Sequence, residues 1–173
     1  LDFGIAKLVD PEGTDGDTRT GFRMMTPEYA SPEQIRGEVL TTASDVYALG
    51  MVLYELLTGV RPVKGREQAL ARALAPGSAP SLPKPSDQVS REPTGTEDGT
   101  GPTQLSTRTL RGDLDQILLK ALRLEVRDRY PDVTALAGDL RAYLDERPVS
   151  AQPPSIAYRT RKFVQRQRGG VTA

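Results

Sequence analysis

The chain has 173 residues, a length that suits one compact domain, and 37% of them are apolar, which is enough to form a buried core. It contains no cysteine and no histidine, which excludes disulfides, cysteine nucleophiles and every mechanism whose acid or base is an imidazole. Its 23 basic and 23 acidic residues cancel to a formal net charge of +0, so we expect no nucleic-acid partner.

The first long apolar pattern predicts a helix over residues 42–58, after an irregular segment rich in Gly, Pro and Thr. Ser44 or Thr42 is the predicted N-cap, and Gly59 follows the last residue of the pattern. Apolar side chains lie nearly all round this helix, so we expect it at the centre of the core. They are Val46, Tyr47, Leu49, Val52, Leu53, Leu56 and Leu57.

Residues 66–74 predict a second, shorter helix, and a proline-rich stretch follows it. Between Pro76 and Arg111, prolines alternate with Gly, Ser and Thr, and large apolar residues are few. Such a composition buries too little apolar surface to offset the entropy lost by ordering the backbone. We therefore expect a flexible insert over about residues 76–111.

Helical periodicity returns after Asp113 and again over residues 133–144, where Pro148 helps to end the pattern. No stretch alternates in the manner of a β-strand, so the predicted fold class is mainly α. Residues 149–173 form a basic tail, which ends with Arg159, Arg161, Lys162, Arg166 and Arg168 and contains no acid. Charge runs are commonly solvated flanks, but this composition also fits a juxtamembrane segment on an anionic membrane surface.

Four short motifs follow one another along the chain. They are Asp-Phe-Gly at residues 2–4, Thr-Pro-Glu-Tyr-Ala-Ser-Pro-Glu at 26–33, Ser-Asp-Val-Tyr-Ala-Leu-Gly at 44–50 and Asp-Arg-Tyr at 128–130. A carboxylate followed by glycine suits Mg²⁺, but Asp-Phe-Gly alone is more often a turn than a metal site. The order and spacing of all four motifs make the combination specific.

On these motifs the sequence resembles the C-terminal lobe of a eukaryotic-like Ser/Thr protein kinase of the bacterial receptor type. The resemblance implies a partial kinase domain over residues 1–148, with an activation segment over 1–33 and a helical subdomain over 42–148. The N-terminal β lobe, the Gly-rich loop, the strand lysine and the His-Arg-Asp loop precede Asp-Phe-Gly in that family and are absent here. Because the chain also opens on Leu1, we expect it to be a piece of a longer protein.

The resemblance implies roles for residues near the start of the chain. Asp2 is the catalytic and metal-binding aspartate that holds Mg²⁺ against the phosphates of ATP. Thr26 lies in the substrate loop of Ser/Thr kinases, where it contacts the catalytic aspartate. Thr18 and Thr20 match phosphorylated threonines of activation loops, although most such threonines are simply solvated.

The resemblance also implies structural roles for Glu33, Asp45 and Arg129. Glu33 ends the Ser-Pro-Glu that stands where the family has Ala-Pro-Glu, and Arg129 matches the arginine that pairs with this glutamate. The alternative is that both are ordinary surface charges. Asp45, Tyr47 and Gly50 match the family's D-x-W-x-x-G helix with Tyr in place of Trp. The Asp45 carboxylate then accepts hydrogen bonds from the catalytic loop, or it is merely an acid favoured by the helix dipole.

The function implied is part of a Ser/Thr protein kinase that transfers the γ-phosphoryl group of ATP, with Mg²⁺, to hydroxyls of protein substrates. We expect this chain to be inactive alone and to need the missing N-terminal half as its partner. The resemblance places it in the cytoplasm, or on the cytoplasmic side of a membrane-anchored protein. The alternative is a non-catalytic helical module that docks proteins.

Overall fold

The computed structural model describes residues 28–75, 77, 81–89, 107–153 and 155–168. These residues form α-helices and a short 3-10 helix over Val126–Asp128, and no β-strand occurs among them, which confirms the predicted mainly α class. The helices are α1 (Pro32–Arg36), α2 (Thr42–Thr58), α3 (Gly65–Leu74), α4 (Pro85–Val89), α5 (Thr107–Leu110), α6 (Asp113–Ala121), α7 (Val133–Leu144) and α8 (Ile156–Arg168).

Helix α2 begins at the predicted residue but is capped differently. The N-cap is Thr41, whose extended backbone (φ −131°) precedes the helix and whose hydroxyl accepts a hydrogen bond from the Ala43 N–H at 3.3 Å. Ser44 completes a capping box by accepting from the Thr41 N–H at 3.3 Å, whereas the Thr42 hydroxyl donates to Pro131 O at 2.8 Å. The prediction of Ser44 or Thr42 as N-cap is therefore wrong, because the residue before the helix satisfies its free N–H groups.

Helix α2 separates two apolar clusters. On one side Tyr47, Met51 and Tyr54 pack with buried residues of α1 and α3, and on the other Val46 packs with buried residues of α6 and α7. Burial does not extend all round the helix, since Leu56 is 74% exposed. Most faces of α2 are therefore in contact with the core, as expected, but the face that carries Leu56 is exposed to solvent.

The contact between α2 and α6 depends on a glycine. A Cβ placed on Gly50 would lie 3.0 Å from the Cβ of Ala121 and 3.1 Å from Cδ2 of Leu122. Such distances are shorter than ordinary van der Waals contacts, so a Cβ at this position requires Ala121 and Leu122 to shift by a few tenths of an ångström.

Both ends of the predicted flexible insert pack onto the helical core. Pro85 and Ser86 of α4 are buried, and Leu110 of α5 is completely buried. The buried carboxylate of Asp115 accepts from the Ser86 N–H at 2.9 Å and from its hydroxyl at 2.8 Å. The predicted insert thus contains two short helices, α4 and α5, that contact the core through an apolar side chain and a polar group, while the flexibility of the insert stays a prediction. Residues 76, 78–80 and 90–106 lie outside the described residues.

The helical subdomain continues past the predicted boundary at residue 148. Val149 is buried in the cluster of α6 and α7. The buried Asp139 carboxylate accepts from the N–H groups of Ser150 at 2.7 Å and Ala151 at 2.9 Å, and from the Tyr130 hydroxyl at 2.7 Å. Hydrogen bonds from Ser150, Tyr130 and Ala151 outweigh burial and lower the Asp139 pKa. The first residues of the basic tail therefore belong to the folded unit.

Candidate functional site

The structure describes part of the predicted site. Asp2, Thr18, Thr20 and Thr26 lie outside the described residues, as does the activation segment up to residue 27. Their predicted roles stay predictions. Glu33, Asp45 and Arg129 are described, and the geometry around them can be built from local structure upward.

Helix α1 turns Glu33 into the core. Ser31 is its N-cap and forms a capping box with Gln34, in which the Ser31 N–H donates to the Gln34 amide oxygen at 2.8 Å. Pro32 occupies the first turn, and Gly37 ends the helix in the left-handed conformation with φ 69°. These start and stop signals confine the helix to one short segment and leave Glu33 only 1% exposed.

Glu33 and Arg129 form a buried bidentate ion pair. The Arg129 Nη1 donates to Glu33 Oε1 at 2.7 Å, and Nη2 donates to Oε2 at 2.7 Å. The two side chains are 1% and 0% exposed, so water screens the pair very little. Two parallel hydrogen bonds between a guanidinium and a carboxylate also fix the relative orientation of the groups.

Three main-chain carbonyls complete the surroundings of Arg129. Its Nε donates to Arg123 O at 2.6 Å, Nη1 to Ala43 O at 3.1 Å and Nη2 to Leu124 O at 3.0 Å. With the two bonds to Glu33, all five N–H donors of the guanidinium have acceptors. Arg129 therefore joins α1, the start of α2 and the turn after α6 at one point.

The electrostatics of this pair favour the ionised carboxylate. Burial acts to raise the pKa of Glu33, but hydrogen bonds from Arg129 and Ser44 outweigh it and hold the pKa at about 2, against an ordinary value of 4.5. The Ser44 hydroxyl donates to Glu33 Oε1 at 2.7 Å. Ser44 thus has two functions, since it also closes the capping box of α2.

Tyr47 packs against the same arginine. The Arg129 guanidinium lies 4.9 Å from the centre of the Tyr47 ring, within the range of a cation–π contact. Tyr47 is buried, and burial raises the pKa of its hydroxyl although nearby Arg72 and Arg129 act in the opposite direction. The tyrosine that replaces the family's tryptophan therefore still presents an aromatic face to the ion pair.

Asp45 lies in the first turn of α2 and is exposed. Among the described residues it has no hydrogen-bond or ion-pair partner. An acid in this position interacts favourably with the positive end of the helix dipole, by about 0.3–1 kcal/mol. The predicted role of Asp45 toward a catalytic loop stays a prediction.

A second cluster of polar contacts, which the sequence did not predict, holds the residues just before α1 against α2. The Tyr29 hydroxyl donates to the Glu55 carboxylate of α2, which raises the Tyr29 pKa. Arg61 bridges Glu55 at 3.0 Å and Glu28 at 2.8 Å, and its guanidinium lies 5.5 Å from the centre of the Tyr29 ring. The only sequence signal was the position of Glu28 and Tyr29 two and three residues after the predicted substrate-loop residue Thr26.

The described residues provide a framework rather than reacting groups. No group of three or more acidic residues among them could hold a metal ion. What they do is fix residues 28–33, the segment that leads away from Thr26, against the buried helix α2. The chemistry assigned to Asp2 depends on residues outside the described part of the chain.

Comparison with known proteins identifies the family. The model of the protein kinase domain matches residues 1–129. The Mycobacterium tuberculosis serine/threonine-protein kinase PknB is 34% identical over 161 residues, which is 92% of this chain and 22% of that protein. The Myxococcus xanthus tyrosine-protein kinase MasK is 35% identical over 147 residues, or 84% of this chain and 19% of that protein.

A third relative is similar over a shorter region. The Myxococcus xanthus serine/threonine-protein kinase pkn3 is 56% identical over 64 residues, which is 36% of this chain and 12% of that protein. The chain thus spans between 12% and 22% of the length of these three relatives. Both partners of the buried Glu33–Arg129 pair lie within the region matched by the domain model, which ends at Arg129. The chain belongs to the protein kinase domain family.

Proposed function

We propose that this chain is the substrate-binding part of a Ser/Thr protein kinase. The whole kinase transfers the γ-phosphoryl group of ATP, with Mg²⁺, to Ser or Thr hydroxyls of protein substrates. The observation that carries the proposal is the Glu33–Arg129 pair, which fixes the segment after Thr26 in place within a kinase-family domain. Two of the three relatives described above are named as serine/threonine kinases, and Thr26 favours the same hydroxyl class.

Each contributed residue has a limited task. Asp2 supplies a carboxylate oxygen to Mg²⁺, a hard cation that takes most of its other ligands from water and phosphate. Mg²⁺, when bound, neutralises charge that develops on the phosphates. Thr26 positions the substrate loop, and phosphorylation of Thr18 or Thr20 adds charge that orders the activation segment.

The chain alone is inactive in this proposal. Its sequence contains no histidine, so the 173 residues hold no His-Arg-Asp loop to orient the substrate hydroxyl. Phosphoryl transfer depends almost entirely on positioning and charge stabilisation, and an N-terminal half of the kinase supplies most of those groups. The partners of this chain are therefore that half and protein substrates.

A chimera tests the proposal. The part of PknB that precedes its aligned region is joined to Leu1, and the product is incubated with radiolabelled ATP, Mg²⁺ and a generic basic protein. We expect label on Ser or Thr with the chimera and none with the 173-residue chain. Loss of a metal ligand removes several kcal/mol of transition-state stabilisation, so Asp2→Ala should slow the chimera roughly 1000-fold.

Asp10→Ala is the matched control, because it removes another carboxylate of the same segment and should leave the rate nearly unchanged. A chimera that is folded by circular dichroism but inactive would contradict the proposal, as would equal activity of Asp2→Ala. Label on tyrosine would contradict the assigned substrate class. An inactive chimera that still binds protein substrates would favour the docking module.

A further inference from the structure

Helix α8 has a strongly basic sequence, and one of its faces packs against the rest of the domain. Its 13 residues include five Arg or Lys and no acid. Lys162 is buried and pairs with Asp113 of α6 at 2.6 Å, and the Tyr158 hydroxyl accepts from the Val149 N–H at 3.1 Å. Residues four apart share one face of a helix, so Tyr158 and Lys162 define the side that faces the domain.

The other side of α8 exposes large apolar side chains. Ile156 is 85% exposed and Phe163 is 54% exposed. Successive residues turn by about 100°, so residues seven apart lie within about 20° of each other and both point away from the docked face. Val164, at 40% exposure, and the exposed Arg159 lie beside them. An apolar face on a helix rich in arginine is the pattern of helices that lie in a membrane interface.

We propose that α8 binds the surface of an anionic lipid bilayer, with Ile156 and Phe163 entering the boundary between headgroups and acyl chains. Charge complementarity identifies this partner, because a basic helix without acids is attracted to anionic headgroups. The helix lies on the bilayer and does not span it. Its 13 residues measure about 20 Å, against a hydrocarbon core of about 30 Å, and no helix of the described residues is long and apolar enough to cross.

Nucleic acid fits these observations less well. Phosphate-backbone binding uses cations and gains nothing from an isoleucine that is 85% exposed. An interfacial helix gains affinity from the same side chain by burying it in lipid. Docking through Lys162 also matters, since its pair with Asp113 holds α8 against α6 and would orient the substrate-binding part relative to the cytoplasmic leaflet.

The first experiment measures co-sedimentation of the 173-residue chain with lipid vesicles. We expect binding to phosphatidylcholine vesicles that contain phosphatidylglycerol, weak binding to phosphatidylcholine alone, and release at high salt. Arg159→Gln should weaken binding roughly fivefold, because one basic residue near the surface contributes about that factor. Ile156→Ser combined with Phe163→Ser should reduce it roughly tenfold or more.

The matched control is Leu56→Ser, which removes a side chain of α2 that is 74% exposed and should not change binding. The chain contains no tryptophan, so Ile156→Trp also places a single fluorescent reporter on α8. Its emission should shift to shorter wavelength with anionic vesicles, whereas that of Leu56→Trp should not. This reporter measures insertion even if the double substitution disturbs folding.

Three outcomes would overturn the proposal. One is that the chain stays in the supernatant with anionic vesicles at low salt. Another is that neutral vesicles bind equally well, or that Leu56→Ser weakens binding as much as the α8 variants do. The third is that duplex DNA competes the chain off the vesicles while Ile156→Trp shows no spectral shift, which would assign the basic helix to nucleic acid.

Discussion

Removal of either partner of the Glu33–Arg129 pair should destabilise the domain strongly. Glu33→Ala strands a guanidinium in an environment where both side chains are at most 1% exposed. Breaking a buried pair in this way costs roughly 3–5 kcal/mol, because the remaining charge loses water without regaining a partner. We therefore expect the free energy of unfolding to fall by that amount.

The structure predicts that Arg129→Ala costs more than Glu33→Ala. Without Glu33, the guanidinium still donates to the carbonyls of Ala43, Arg123 and Leu124. Without Arg129, the three carbonyls and the Glu33 carboxylate all lose their hydrogen-bond donor, and each carbonyl bond that is lost costs about 1 kcal/mol. The double variant strands no charge, so it should cost less than the sum of the single variants, with a coupling energy of about 2–3 kcal/mol.

Urea unfolding followed by far-ultraviolet circular dichroism measures all three costs. The exposed pair of Arg147 and Asp145, at 2.9 Å and with side chains 51% and 59% exposed, provides a matched control cycle. Surface pairs of this kind couple by about 0–1 kcal/mol. If Glu33 and Arg129 coupled no more strongly than this exposed pair, the buried interaction would not stabilise the domain as argued.

Three further predictions follow from the same contacts. Because the pKa of Glu33 falls from 4.5 to about 2 on folding, its ionisation adds roughly 3 kcal/mol to the free energy of unfolding above pH 4.5. Urea unfolding at decreasing pH should show this contribution disappear toward pH 2, and Glu33→Gln should lack it. Gly50→Ala should destabilise by about 1–3 kcal/mol in urea because Ala121 and Leu122 would crowd the added Cβ. Gly138→Ala, where nothing lies within 4 Å of the added Cβ, should instead stabilise by about 0.5–1 kcal/mol. Asp139→Asn should lower the stability measured by thermal unfolding by about 2 kcal/mol, since an amide oxygen cannot accept all the hydrogen bonds that this carboxylate receives. The exposed control Asp145→Asn should change the stability by less than about 0.5 kcal/mol.

Periodicity predicted the long helices well because it reports burial directly. The observed bounds of α2 and α7 coincide with the predicted ranges 42–58 and 133–144. Helix α8 was not predicted, since arginine and glutamine dominate its sequence and it docks through isolated polar contacts, of Lys162 with Asp113 and of Tyr158 with Val149. Such a contact leaves no periodic signal in either segment.

The two short helices within the insert could not be predicted, for a related physical reason. Its composition contains few large apolar residues, but Ser86 of α4 bonds to a buried carboxylate, and α5 buries Leu110 and accepts a hydrogen bond from the Tyr143 hydroxyl at Thr109 O. Counting apolar residues along a segment therefore underestimates how firmly two well-placed contacts can hold it. A flexible segment can be inferred from composition only where no such partner exists elsewhere in the fold.

The candidate site could not be derived from local pattern. Glu33 and Arg129 are 96 positions apart in the sequence, and only the family resemblance suggested that they pair. Two of the three carbonyls that surround the arginine, those of Arg123 and Leu124, depend on how the turn after α6 folds, which no side-chain pattern encodes. The Tyr29–Glu55 contact likewise joins two segments that the sequence does not connect.

These two contacts together explain how α2 fixes the segment after Thr26. Glu33 is held by Ser44 in the first turn of α2, and Tyr29 is held by Glu55 near its end. Ser44 and Glu55 are eleven positions apart on α2, which corresponds to a rise of about 16 Å along the helix. The chain from Tyr29 to Glu33 therefore runs along α2 in the direction opposite to the helix, through a turn at Tyr29 and into the first residues of α1. Loss of one attachment leaves the segment free to pivot on the other, whereas both together set its direction and its distance from the core.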